Sequence, residues 1–210
     1  MTDMATRGHR LFAAVYDRIT RPAERDFLGP RRERLLSELT GEVLDVGAGT
    51  GANLSHLRRA ARVVVTEPDP AMRLRLVEKA GRAEIPVQVD DAAAEALPYP
   101  DASFDAVLFT VVLCTVTNAD RALAEARRVL KPHGRLIVLE HVRGTGGLAH
   151  WQDRVTPLWT RAAAGCHPGR DTRAAVERAG FTFVEVEEFQ PMPRWIPVSP
   201  WLYGLATPTY

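Results

Sequence analysis

Lysine is nearly missing from this chain. Lys79 and Lys131 are the only two among 27 basic residues, so almost all of the positive charge is arginine. The 26 acidic residues bring the formal charge to +1, which gives no case for a nucleic-acid partner. Cys114 and Cys166 are the only cysteines, too few for a disulfide framework. The six histidines show no H-x-x-x-H spacing and the cysteines no C-x-x-C, so no metal site is expected. No apolar run approaches the roughly 18 residues of a spanning helix. The opening MTDMATRGHR also lacks the apolar core of a signal segment. The expectation is a cytoplasmic enzyme acting on a small molecule, with no transmembrane segment, as a monomer or weak homodimer.

What is present suits one folded domain over residues 1–210: the chain is 46% hydrophobic and 25% charged. Residues 1–40 read as helical, with Phe12, Val15, Tyr16 and Ile19 on one face and Leu28, Leu35, Leu36 and Leu39 on another. From Gly41 onward, over 41–210, apolar runs alternate with amphipathic stretches. EVLDV, RVVVTE, IPVQV, FDAVLFTVV and RLIVLEH read as strands. Helices are predicted over Ala52–Arg59, Pro70–Ala80 and ADRALAEARRVL, the last closed by Pro132 and Gly134. Such alternation predicts an α/β fold, a doubly wound, mostly parallel sheet covered on both faces. After Gly144 the rhythm changes. An aromatic-rich segment with Trp151 and Trp159 precedes a helix from Asp171 to Ala179. FTFVEVEEF and WLYGLAT then form a C-terminal antiparallel pair, completing seven strands.

The chemistry gathers at the strand ends, where an open α/β sheet binds its ligand. In VLDVGAGTGAN, Gly47, Gly49 and Ala52 satisfy the G-x-G-x-x-G/A turn of dinucleotide enzymes, and Gly47, Gly49 and Gly51 satisfy the G-x-G-x-G loop of enzymes using S-adenosylmethionine. Glu67 ends the second strand about 20 residues after Gly47, where an acid accepts ribose hydroxyls in either cofactor. Three features separate them. Asp45, two residues before the loop, suits a cationic amino-acid end and would repel a pyrophosphate. An acid and an Ala-Glu pair follow the third strand, where an adenine is read. No Tyr-x-x-x-Lys pair for hydride transfer occurs. S-adenosyl-L-methionine is therefore the expected cofactor.

VLDVGAGTG, TEPDP, AEALPYPDASFDAVL and EARRVLKPHGRLIVLEH, in this order, resemble a class I S-adenosylmethionine-dependent methyltransferase over about Gly41 to Val142. LCTVTNADRALAEARRVLKPHGRLIVLEHV, WQDRVTPLW, AGCHPGRDT and SPWLYGLA are similar to the alkyl thiol S-methyltransferases and their bacterial relatives. The membrane-bound members carry a hydrophobic N-terminal anchor, and no such run opens this chain. The resemblance implies a Rossmann-like fold, a helical lid over 1–40 and methyl transfer to a small apolar acceptor. A thiol is the first choice; a lipid amine, quinone or other metabolite, or binding without turnover, are the alternatives.

The resemblance also assigns roles. Asp45 engages the methionine end, while Gly47, Ala48, Gly49 and Gly51 bring backbone to the cofactor, with Glu67 and Pro68 at the ribose. Asn53 reaches the cofactor's carboxylate or satisfies the helix start. Ala94 and Glu95 match the adenine-edge pair, with Asp91 competing. Thr110 and Val111 end the fourth strand beside the sulfonium. His141, Cys166 and His167 are the candidate catalytic residues; each has a bracing or wall role as its alternative. Asp69 and Asp171 or Thr172 are expected as helix caps. Phe12, Tyr16 and Phe27 are expected in the lid, and Trp151, Trp159 and Trp195 either line an acceptor pocket or fill the outer layer.

Overall fold

The computed structural model of the chain describes residue 13 and residues 15–209; Phe12 lies outside them. The chain divides into two compact units, residues 1–93 and 94–210. The first unit contributes three strands and the second four.

In the first unit, a helical stretch over 15–23 runs through a π-helical turn, Glu24–Leu28, into α1, Gly29–Leu36. Leu28, Leu35, Leu36 and Leu39 are all buried, as their helical spacing requires. Ile19 is instead 65% exposed, so the face expected for it is not a packed one. The strands β1 (Gly41–Val46), β2 (Ala60–Thr66) and β3 (Val87–Asp90) pair in parallel in the order β3-β2-β1. Helix α2 spans Pro70–Ala80. It opens where Asp69 accepts the amides of Ala71 and Met72 and Pro70 presets the first turn. The helix expected over Ala52–Arg59 is only a 3₁₀ turn, Leu54–His56. Ala60 already pairs with Gly41 in the sheet, which leaves too little chain between Gly51 and β2 for an α-helix.

In the second unit, β4 (Phe104–Thr110) and β5 (Leu130–His141) are parallel, and α3 (Ala119–Val129) lies between them in sequence. Strand β5 begins five residues earlier than expected. Pro132 and Gly134 do not close off a loop but sit in a bulge, where the register slips between Phe104 and Ala106. A Cβ on Gly134 would stand 2.6 Å from Leu130 Cγ, so glycine lets that bulge pack down. The aromatic-rich segment is helix α4, Gly147–Ala162, with Pro157 inside it. Helix α5 (Thr172–Arg178) is capped by Asp171, which accepts the amide of Ala174. Strands β6 (Phe181–Phe189) and β7 (Trp201–Pro208) form the antiparallel pair, with β7 also antiparallel to β5 in the order β4-β5-β7-β6. The expected α/β fold, mostly parallel with an antiparallel C-terminal pair, is the observed one. Among the described residues, no helix is long and apolar enough to cross a membrane.

Candidate functional site

The end of β1 and the loop after it form a polar cradle. Gly47, Gly49 and Gly51 all have positive φ. At Gly51 a Cβ would come within 2.9 Å of Leu76, whereas at Gly49 it would meet nothing within 4 Å. Gly49 therefore serves its backbone conformation, φ +57°, and leaves open space for a ligand to approach.

Asp45 and Glu67 stand on either side of this loop in sequence. Asp45 is fully buried in β1, and its Oδ1 accepts Asn53 Nδ2 at 2.9 Å. Its Oδ2 has no hydrogen-bond partner. Burial pushes the Asp45 carboxyl up to about 6, against the pull of Asn53 and the Arg32 guanidinium. Asn53 stands at the N-cap position of the 3₁₀ turn, but its side chain makes no capping hydrogen bond there. Arg32, buried in α1, donates to Asn53 Oδ1 and also to both oxygens of Glu24, each at 3.1 Å. Glu67, just past β2, accepts Gly49 N at 2.9 Å and Asp69 N at 2.8 Å, and burial raises its carboxyl too.

The N-terminal helix is tied to the loop by a second network. Thr50 Oγ1 donates to Asp17, and Lys79 Nζ lies 3.2 Å from Asp17 Oδ2. Burial opposes ionisation of Asp17, but the Thr50 hydrogen bond and the Lys79 ammonium hold its carboxyl below the usual range. Among the adenine-edge candidates, Asp91 is exposed, Ala94 is buried, and Glu95 accepts Asn118 N at 3.0 Å.

In the second unit, Val111 follows Thr110 at the end of β4 with φ +62°, a costly conformation for a β-branched residue. Its amide donates to Leu139 O at 2.8 Å. Glu140, fully buried in β5, accepts the next two amides, Val112 N at 2.7 Å and Leu113 N at 2.8 Å. That carboxylate holds the strained turn from one side, and burial pushes the Glu140 carboxyl up, opposing its ionisation. Arg170 holds the turn from the other, donating to Leu113 O and to Val116 O at 2.8 Å.

Beside that turn, Cys114, His141 and Cys166 converge, their ligand-type atoms all within 4.8 Å of one another. Cys166 Sγ lies 3.1 Å from His141 Nε2, and Trp159 Nε1 donates to it at 3.4 Å. His167 is exposed and is not in the cluster; only its backbone amide turns inward, to Cys114 O at 2.8 Å. The three tryptophans share no pocket role. Trp195 is 72% exposed and accepts the Trp151 indole hydrogen at its carbonyl, while Trp159 serves Cys166.

The expectations missed Arg32, Glu140 and the pairing of Cys114 with Cys166. Only Glu140 left a trace, as an acid ending an otherwise apolar strand.

This cradle resembles no dinucleotide site, since a buried acid with an unpartnered oxygen stands where a pyrophosphate would come. It suits a cationic ligand end, and Glu67 suits a ribose. Comparison with known proteins agrees. The family model described as "Methyltransferase domain" matches residues 44–138. The thiol S-methyltransferase TMT1B of Rattus norvegicus is 35% identical over 172 residues, covering 78% of this chain and 69% of the relative. The chain belongs to the S-adenosylmethionine-dependent methyltransferase family. S-adenosylmethionine is accordingly its cofactor, and the cradle fits it: Asp45 Oδ2 is free to take the ammonium, and Glu67 retains acceptor capacity for ribose hydroxyls. Another relative, the ubiquinone/menaquinone biosynthesis C-methyltransferase UbiE of Paracoccus denitrificans, is 41% identical over 149 residues, covering 67% of this chain and 56% of its own. A solved S-adenosylmethionine-dependent methyltransferase from Mesorhizobium loti shares the fold at TM-score 0.64 and 20% identity, over 85% of this chain and 96% of that one.

Proposed function

We propose that this methyltransferase methylates the sulfur of a small, rather apolar thiol. The observation that carries the reading is the match to the thiol S-methyltransferase, which covers more of both chains than the quinone-type match does. When bound, the cofactor supplies an electrophilic methyl on a cationic sulfur. Asp45 orients its ammonium, Glu67 its ribose, and the backbone of Gly47 to Gly51, with Ala48, Asn53 and Pro68 around it, its methionine and ribose ends.

The chemistry asks little more of the protein. In-line positioning in a dry pocket supplies much of the rate. A thiol acceptor is already a few per cent thiolate at neutral pH, so a strong base is not required. His141 Nδ1, buried and without a hydrogen-bond partner, keeps an unused lone pair, which supports it as the base for the acceptor's proton. Cys166 bears on the acceptor through His141 alone. His167, turned outward, has no part in this reading.

A second reading, methylation of a ring carbon of a quinone precursor, is favoured by the 41% identity to the Paracoccus enzyme. The test is formation of S-adenosylhomocysteine with alkyl and aryl thiols, phenols, amines and a demethylated quinol, beside a Glu67→Ala control. Turnover with thiols that the control loses supports the proposal. Turnover confined to the quinol replaces it with the second reading. No turnover despite cofactor binding leaves a binding module and overturns both.

A further inference from the structure

Cys166 Sγ is surrounded by hydrogen-bond donors rather than by apolar atoms alone. The indole N–H of Trp159 points at it from 3.4 Å and His141 Nε2 from 3.1 Å. The thiol of Cys114 lies within 4.8 Å of it as well. The protonation of His141 follows from its other nitrogen. Nδ1 is buried and has no hydrogen-bond partner, so a hydrogen there would strand a donor. The tautomer carrying its hydrogen on Nε2 strands none, and that hydrogen then points at Cys166 Sγ. Two donors converging on one sulfur, with a second thiol beside them, stabilise a thiolate.

The two cysteines are unequal. The adjacent Cys114 thiol, opposed by burial and reinforced by His141, lowers the Cys166 thiol. The same pairing, together with burial and the nearby Glu140 carboxylate, raises Cys114. One sulfur is thus held as an attacking thiolate and the other as a protonated thiol beside it. They come from separate loops, one after β4 and one after α4.

We propose that Cys166 and Cys114 are an oxidisable pair, with Cys166 the peroxide-reactive thiolate and Cys114 its resolving partner. Cys166 is only 8% exposed, which admits a small oxidant and excludes a bulky disulfide. In the first step the Cys166 thiolate attacks one oxygen of hydrogen peroxide. The O–O bond breaks, hydroxide leaves and takes a proton from solvent, and Cys166 becomes a sulfenic acid. In the second, Cys114 sulfur attacks Cys166 sulfur. The S–O bond breaks, and hydroxide leaves as water with the Cys114 proton. One peroxide is reduced to two waters while two thiols are oxidised to one disulfide. The inference does not depend on the methyl acceptor, because it concerns only the cluster's own atoms.

The test treats the reduced wild-type chain with hydrogen peroxide in the presence of a chelator, then maps alkylated peptides by mass. The expected result is joint loss of both thiols, loss of two hydrogens from the intact mass, and one intramolecular Cys114–Cys166 peptide that dithiothreitol reverses. In Cys114→Ser, the sulfenic acid should accumulate and be trapped by dimedone. If that variant does not fold, the wild-type mapping decides alone. Three results overturn the proposal. Both cysteines stay alkylatable at a peroxide dose that oxidises them in urea, or Cys166 proceeds to a sulfinic acid while Cys114 stays free. Alternatively, the purified chain carries stoichiometric zinc that shields both thiols, which would make the cluster a metal centre.

Discussion

Asn53 donates through Nδ2 to Oδ1 of Asp45 at 2.9 Å. Arg32 donates to the carbonyl oxygen of the same asparagine, so a buried polar relay runs from α1 to the carboxylate. The relay satisfies one oxygen of Asp45 and leaves the other for a ligand cation. If that carboxylate takes the ammonium, as proposed, its full burial has consequences for pH, stability and affinity.

Cofactor affinity should fall in acid. Asp45 is pushed up to about 6 by burial, and an ammonium ligand requires it ionised. Below that pH, binding must expel a proton, so affinity drops about tenfold per pH unit and one proton is released on binding. Calorimetry with S-adenosylhomocysteine at pH 5 to 7.5, in buffers of different ionisation enthalpy, measures both effects. A flat profile would show that Asp45 is already ionised without ligand.

Asp45→Asn should stabilise the ligand-free protein while abolishing binding. The folded state raises this group above the ordinary aspartate value of 3.8, so its favourable contribution is complete below pH 3.8 and lost as pH rises through about 6. At pH 7.5 the amide removes that loss, on the order of 3 kcal/mol, and still accepts from Asn53. Denaturant midpoints should therefore separate at pH 7.5 and draw together near pH 4.

Glu67→Ala removes the acceptor for Gly49 N and Asp69 N as well as for the ribose. Hydrogen bonds to a charged group contribute about 1.5–3 kcal/mol each, so cofactor affinity should weaken by roughly 10- to 100-fold. Glu67→Gln keeps an acceptor oxygen and should lose less. Titration calorimetry ranks the three proteins, and equal affinities would remove Glu67 from the site.

Glu140 should act through the β4 turn. Glu140→Ala strands the buried amides of Val112 and Leu113 and should cost about 3 kcal/mol in urea unfolding. Glu140→Gln retains an acceptor and removes a buried charge, so its stability should match or exceed that of the parent. An alanine variant as stable as the parent would mean that Val111 keeps its positive φ without this carboxylate.

Local patterns carried much of the fold. Helix α2 was legible to its ends because Asp69 and Pro70 start it within three residues, and β6 because FTFVEVEEF reads as an extended, β-prone run. The opposite held for α4. The sequence shows only an aromatic-rich segment, and the folded chain alone reveals a helix there that tolerates Pro157, with Thr156 and Thr160 hydroxyls bonding back to carbonyls at 2.6 and 2.9 Å. Pro132 and Gly134 misled, because a bulge is defined by the partner strand.

The same division runs through the site. Asp45, the glycine loop and Glu67 fall where the sequence placed them, at strand ends and in a tight loop, because these are short-range features whose spacing is set by backbone geometry. Arg32 meeting Asn53, Glu140 meeting Val112, and Cys166 meeting His141 join residues 21, 28 and 25 positions apart. Nothing local in the chain specifies those meetings. Strand register and loop packing bring them about, and burial then turns ordinary acids and thiols into groups with altered protonation.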